Sequence, residues 1–281
     1  MKKLIMFIMT LVMCLSLCAC EKADDYEVAV ALMDAGKYEE AMSVFEQLGE
    51  YENSAVKAKE CEAAAAWENA VALFEDDDYV GAWELFKNME DSEKTEESDR
   101  YIMECAWGML REYLEEEGPL KVKDTQYDVE NDTQVESICQ IEKQGKRVIA
   151  TIQSTEIVSY PIVNVTYTTV TDTTVSFDGK ETQPELKAEA KHTMKGKNGA
   201  STFRNVGTCL WDIASYEADT PVKWTEYIHI GTDGEMDDTR SAPAFDSRVT
   251  MQRTIIAASL EQLIEDADCG VSMADLGFTN Y

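Results

Sequence analysis

Residues 36–48 read GKYEEAMSVFEQL, and residues 77–89 read DDYVGAWELFKNM. Counted from Gly36, a Tyr, an Ala, a Phe and a Leu fall at +2, +5, +9 and +12; counted from Asp77, a Tyr, an Ala, a Phe and a Met fall at the same offsets. Spacings of three and four place these side chains on one face of a helix. The match extends upstream, where Tyr26, Ala29 and Leu32 sit 41 residues before Trp67, Ala70 and Leu73. Eight pairs align at this single shift, so each copy reads as two amphipathic helices. Gly36 has the positive-φ freedom that ends the first helix. Tyr38 opens the second, and Ala41 is small where two helices come close.

After the first copy, Gly49-Glu50-Tyr51-Glu52-Asn53-Ser54 forms a junction, with Asn53 or Ser54 capping a long helix from about Ser54 to Glu75. Asp91-Ser92 holds a similar place after the second copy. Trp107, Leu110 and Tyr113 follow Trp67, Ala70 and Leu73 by 40 residues and begin a third first-helix. Glu115-Glu116-Glu117-Gly118-Pro119 stops it, because Pro cannot continue a helix. Residues 99–117 are therefore expected to cap the stack.

The Tyr, Ala, Phe and Leu offsets resemble the tetratricopeptide pattern. That family repeats every 34 residues or so, and this chain every 41, so the region is tetratricopeptide-like. It is similar to helical repeats of many lipoproteins and exported proteins of Gram-positive bacteria. The resemblance spans roughly a third of the chain. It implies a groove that docks a protein partner, with exposed first-helix positions such as Glu27 and Asp34 as candidate contacts.

Export is written at the N-terminus. Lys2 and Lys3 precede an apolar run from Leu4 to Leu17, broken only by Thr10 and Ser16. As a helix this run reaches about 21 Å, short of a bilayer core of about 30 Å. A basic start, a short apolar run and small residues make a secretory leader. Leu17-Cys18-Ala19-Cys20 resembles the lipobox of bacterial lipoproteins. The resemblance implies cleavage before Cys20 and a diacylglycerol on its sulfur. Cys18 fits less well, since bulky Leu17 would precede the cut. Two acyl chains would anchor the protein permanently to the extracytoplasmic face of the cell membrane.

The formal charge is −30. Residues 21–118 hold 29 acidic and 8 basic side chains, and residues 119–281 hold 26 and 15. Such a balance repels nucleic acid and anionic lipid. The cysteines beyond Cys20 (Cys61, Cys105, Cys139, Cys209 and Cys269) are odd in number, scattered and without a C-x-x-C pair. Buried small side chains are expected rather than a metal site or a disulfide framework.

From about Val135 the period changes to two. Expected strands are Val135–Ile141, Arg147–Gln153, Glu156–Val170, Thr174–Phe177, Leu186–Met194, Thr202–Tyr216 and Val222–Ile230. Gln144-Gly145, Asp178-Gly179, Gly196-Lys197-Asn198-Gly199 and Asp233-Gly234 mark turns. Short connections favour an antiparallel meander. Leu186, Ala188, Ala190, His192 and Met194 share one strand face, as do Val222, Trp224, Ile228 and Ile230. Met251–Ala267 reads as an amphipathic helix with Met251, Ile255, Ser259, Leu263, Ile264 and Ala267 inward.

The fold class is α+β: tetratricopeptide-like helices, then an antiparallel sheet closed by a C-terminal helix. The expected divisions are a leader at 1–19, a helical domain at 20–118 and a sheet domain at 119–281.

Catalytic signatures are missing: no G-x-S-x-G, P-loop, H-E-x-x-H or Rossmann glycine run occurs. His192 reads as a core histidine and His229 as exposed, with no metal-ligand spacing between them. The acidic runs Asp76-Asp77-Asp78 and Asp233–Asp238 read as turns rather than Ca²⁺ loops. Asn164-Val165-Thr166 matches a glycosylation acceptor but reads as strand in a bacterial lipoprotein. The expectation is a non-enzymatic lipoprotein with no cofactor and no metal. It would be tethered to the membrane through Cys20 and dock a protein through its repeats. Two alternatives stay open: a small-molecule or lipid binder with a pocket between sheet and C-terminal helix, and an envelope-polymer hydrolase with His192 as base.

Overall fold

The computed structural model describes residues 22–90, 94–128, 132–197, 199–214, 223–230, 236–237 and 243–278. For 199–205, 207, 209, 223–230, 236–237 and 243–250 only the backbone is considered. The leader and Cys20 lie outside these residues. The described residues fall into two units, divided between Ser98 and Asp99.

In the first unit, α1 (residues 22–34) is followed by α2 (Tyr38–Leu48), α3 (Ser54–Glu75) and α4 (Tyr79–Lys87). Ala29, Ala41, Phe45, Leu48, Ala58 and Cys61 form a buried cluster, with Tyr26 and Tyr51 against it. Alanine and cysteine here let helix backbones approach, and Phe45 fills the space between them. Gly36 has φ +74° and Asp77, one repeat later, φ +63°. Around Gly36, the Lys37 amide donates to Leu32 C=O (2.9 Å) and the Gly36 amide to Met33 C=O (3.0 Å). Around Asp77, the Asp78 amide donates to Leu73 C=O (2.9 Å) and the Asp77 amide to Phe74 C=O (3.2 Å). Both are Schellman endings, which satisfy carbonyls that a helix otherwise leaves unpaired. Asn53 occupies the N-cap of α3, yet its side chain accepts from the Tyr26 hydroxyl instead of capping.

α5 (Glu96–Glu116) begins with a reciprocal cap in which the Thr95 amide donates to Ser98 Oγ and the Ser98 amide to Thr95 Oγ1. From Asp99 onward this helix belongs to the same unit as the sheet, whereas the sequence reading grouped it with the repeats up to residue 118. The reason is Trp107. Its ring stacks on Phe177 at 4.7 Å and its indole N–H donates to Leu276 C=O at 3.2 Å, so its packing is not that of Trp67.

The sheet is antiparallel with strands in chain order: β1 (Leu120–Asp128), β2 (Thr133–Gln144), β3 (Arg147–Tyr160), β4 (Val165–Phe177), β5 (Glu185–Gly196), β6 (Gly199–Leu210), β7 (Lys223–Ile230) and β8 (Met236–Asp237). With α6 (Pro243–Ala267) after it, the class is α+β with a C-terminal helix. Two boundaries move. Arg147–Gln153 runs on to Tyr160 as one strand, and the hairpin turn falls at 161–164, inside a segment that reads as continuous strand. Thr171–Thr173, read as a break, is paired strand. β1, an edge strand carrying Lys121, Lys123 and Asp124, was not expected; its charges suit an edge that must not pair with other chains.

α6 starts at Pro243, a residue well suited to the first helical turn. Its buried residues include Gln252, Arg253, Ile256, Ala257, Ser259, Leu260 and Leu263; Ser259 and Leu263 belong to the expected stripe, whereas Met251, Ile255, Ile264 and Ala267 are only half-buried, so the inward face is shifted. Gln252 explains the shift. The Thr173 hydroxyl donates to Gln252 Oε1, and Gln252 Nε2 donates to Ser154 Oγ (3.3 Å) and Thr171 C=O (3.2 Å). Ser154 in turn meets Ser137 at 2.9 Å. A buried polar seam of this kind is tolerable because its groups find partners.

Candidate functional site

One sheet face can be followed strand by strand through its register. Val148, Ala150, Ile152, Ser154, Glu156, Val158 and Tyr160 alternate along β3, opposite Phe177, Val175, Thr173, Thr171, Thr169, Tyr167 and Val165 of β4. On β5 the same rows continue with Leu186, Ala188, Ala190, His192 and Met194. Burial fades along this face. Leu186 and Ala190 are fully buried, His192 is half-buried, and Met194 is 38% exposed.

At the first end the face is filled with aromatic rings. Phe177 packs against Trp107, Trp211 and Phe278, and Trp211 meets Phe278 edge-on at 5.7 Å. Gly179 turns the chain close by with φ +84°, and a Cβ there would stand 3.0 Å from Trp107 Cβ. At the other end lies a groove of about 410 Å³, walled by Val158, Tyr160, Val163, Val165 and Tyr167 and floored by Glu156, Thr169 and His192. Glu156, Thr169 and His192 occupy one row across β3, β4 and β5. Thr169 Oγ1 and His192 Nδ1 are 3.1 Å apart. Tyr160 and Tyr167 meet edge-on at 5.6 Å.

The groove offers a carboxylate, a hydroxyl and an imidazole at its base, with aliphatic and aromatic walls. That combination suits an amphiphilic small ligand, with few polar contacts fixing orientation and apolar area supplying affinity. In the row the Thr169 hydroxyl stands between the Glu156 carboxylate and the His192 imidazole. His192 is thus a groove residue and not a core histidine. The described core of α6 (Ile256, Leu260 and Leu263) is fully buried and takes no part in lining the groove.

The remaining candidates are placed as follows. Glu27 and Asp34 are exposed on α1. Asp78 caps α4, its Oδ1 accepting from the Gly81 amide at 3.0 Å, and Asp77 Oδ1 accepts from Tyr79 Oη at 2.6 Å, so this acidic run is a turn. Asn164 sits at φ +52° in the β3–β4 turn, not within a strand. Cys61, Cys105 and Cys139 are buried free thiols. Burial pushes all three thiols up, Cys105 to about 12, which makes them poor nucleophiles. Among the described residues no cluster of three or more His, Cys, Asp or Glu is placed to hold a metal ion, and no helix is long and apolar enough to cross a membrane. The His229 and Cys209 side chains, and the loop residues of Asp233–Asp238 apart from the short β8 backbone, lie outside the described part.

Sequence reasoning missed Glu156, Tyr160 and Tyr167 as site residues. Their signal was present as an alternating E-x-V-x-Y run, but it becomes a groove wall only once β3 and β4 are correctly divided. No protein-family model, no curated protein and no solved structure matches this chain.

Proposed function

We propose that this protein is a non-enzymatic lipoprotein, anchored to the extracytoplasmic face of the cell membrane through Cys20, whose tetratricopeptide-like helices dock a protein partner. The observation that carries the docking part is the recurrence of the helix pair in three dimensions. Tyr26 meets Phe45 edge-on at 5.6 Å, and Trp67 meets Phe86 edge-on at 5.3 Å, both pairs related by the 41-residue shift. The hydrogen bonds that end α1 and α3 recur at the same shift. Helix pairs stacked in this way leave one helix face of each pair for a partner. The anchor is supported by Leu17-Cys18-Ala19-Cys20 at the end of a short apolar leader.

Two measurements test this reading. A Cys20→Ala variant should leave the membrane fraction after a high-salt wash while the parent chain stays; identical fractionation overturns the anchor. Cross-linking in the native cell followed by mass spectrometry should recover one dominant protein neighbour, and that neighbour should be lost in a Glu27→Lys, Asp34→Lys variant. No enrichment over other envelope proteins overturns the docking.

The groove at Glu156, Thr169 and His192 favours a second reading, in which the sheet unit holds a small amphiphilic ligand. The ligand would lie on the β3–β5 face. Native mass spectrometry of protein purified from its own cells should show a bound small molecule that His192→Ala, Tyr167→Ala releases.

A further inference from the structure

We propose that the tip of the β3–β4 hairpin seats in the lipid–water interface of a membrane, with Lys195 and Lys197 facing lipid phosphates. The proposal draws on the lipoprotein reading for which membrane is met, not for the contact itself.

The tip is apolar and uncovered. Ile162 is 100% exposed, Val163 63% and Tyr160 50%. Single exposed apolar residues are ordinary, but a contiguous group at the end of a hairpin marks a surface that meets something. The turn also presents them stiffly. Pro161 takes the second position, where its fixed φ suits a type I turn, and Tyr160 C=O accepts from the Val163 amide at 3.2 Å. The Asn164 amide donates to Pro161 C=O at 3.2 Å, and Asn164 tolerates the left-handed φ of +52° that brings the chain back into β4. Behind the tip stand two tyrosines, Tyr160 and Tyr167, whose rings are apolar and whose hydroxyls are polar. Such side chains are at home between hydrocarbon and water.

Charge selects the occupant. Between Ala190 and Trp211 the chain has Lys191, Lys195, Lys197 and Arg204 and no acidic residue, in a protein whose net charge is −30. Lys195 pairs in register with Thr166, two residues from the end of the tip turn, and Lys197 follows in the neighbouring β5–β6 turn. Both are exposed. Among the described residues Asp132 stands close to the tip, its carbonyl accepting from the Ser159 amide, and its carboxylate is engaged by the Tyr127 hydroxyl at 2.9 Å. An apolar point flanked by lysines matches an anionic bilayer, in which acyl chains take the first and phosphates the second. The rest of so acidic a chain is repelled by that surface, which favours approach by this end.

The test uses residues 20–281 with Cys20→Ser, so that no acyl chain contributes. Flotation with phosphatidylcholine–phosphatidylglycerol vesicles should recover the protein at low salt. Ile162→Ser with Val163→Ser should weaken recovery by about tenfold or more, and Lys195→Gln with Lys197→Gln should weaken it by about tenfold on anionic vesicles while leaving the weaker binding to pure phosphatidylcholine unchanged. All four side chains are exposed, and an unaltered melting temperature verifies that each variant folds. Failure of the parent to float at low salt overturns the proposal, as does unchanged recovery of the serine variant. Absence of vesicle binding together with self-association that the serine variant abolishes overturns it in favour of a protein contact. None of these results depends on whether Cys20 is acylated in cells, which the fractionation experiment reads separately.

Discussion

Strand β4 has an aromatic residue near each end of its core-facing side, and the two have opposite fates. Phe177 is 2% exposed, stacked on Trp107 and flanked by Trp211 and Phe278. Tyr167, ten residues earlier on the same face, is 41% exposed and meets Tyr160 and open groove. Both rings are large and both sit on a half-buried pleated surface, so ring size does not separate them. Company does. At the Phe177 end, α5 and the segment 271–278 bring rings to fill the space. At the Tyr167 end the ring meets Tyr160 of the neighbouring strand and the groove stays open. Between them Gln252 ties α6 to Ser154, Thr171 and Thr173. The face thus runs from dry core through a satisfied polar seam to a wet, aromatic groove, and the place where packing stops is where binding chemistry collects.

Substitutions along this gradient should give graded losses of stability, measured by urea unfolding. Trp107→Ala removes the ring that stacks on Phe177 and the donor to Leu276 C=O, and should cost about 3–5 kcal/mol. A loss under about 1 kcal/mol would show that the closed end is not a packed core. Gln252→Ala strips partners from two buried hydroxyls and a carbonyl and should cost about 1–3 kcal/mol. Tyr167→Ala should cost less than about 1 kcal/mol, because the residue is already 41% exposed, yet should reduce ligand retention or vesicle recovery. Equal losses at Trp107 and Tyr167 would erase the contrast between the two ends.

The same gradient accounts for what the amino-acid order conceals. Ser154 and Thr171–Thr173 look like turn residues because they are small and polar. Ser154, Thr171 and Thr173 are buried strand residues because Gln252 comes down on them from α6, and a helix about 100 residues away along the chain for Ser154 is invisible to local pattern. Ile162 and Val163 look like strand interior because they are apolar and β-branched, and they are the exposed turn. Each error exchanges a polar core for an apolar tip, and both exchanges sit beside the groove. Glu156, Tyr160 and Tyr167 were missed for this reason. Trp107 misled in another way: its spacing from Trp67 continues the repeat, but its ring belongs to the core around Phe177.

The order of residues was enough for the helical pairs, their 41-residue shift, the turn at Gly36 and the antiparallel meander. These rest on contacts three, four or two residues apart and on a backbone angle that glycine favours. The division of β3 from β4, the inward face of α6, the membership of α5 and the existence of the groove were decided only in three dimensions. They depend on which distant surface covers a residue, and burial of a Ser or Thr, or exposure of an Ile, is a property of the partner as much as of the side chain.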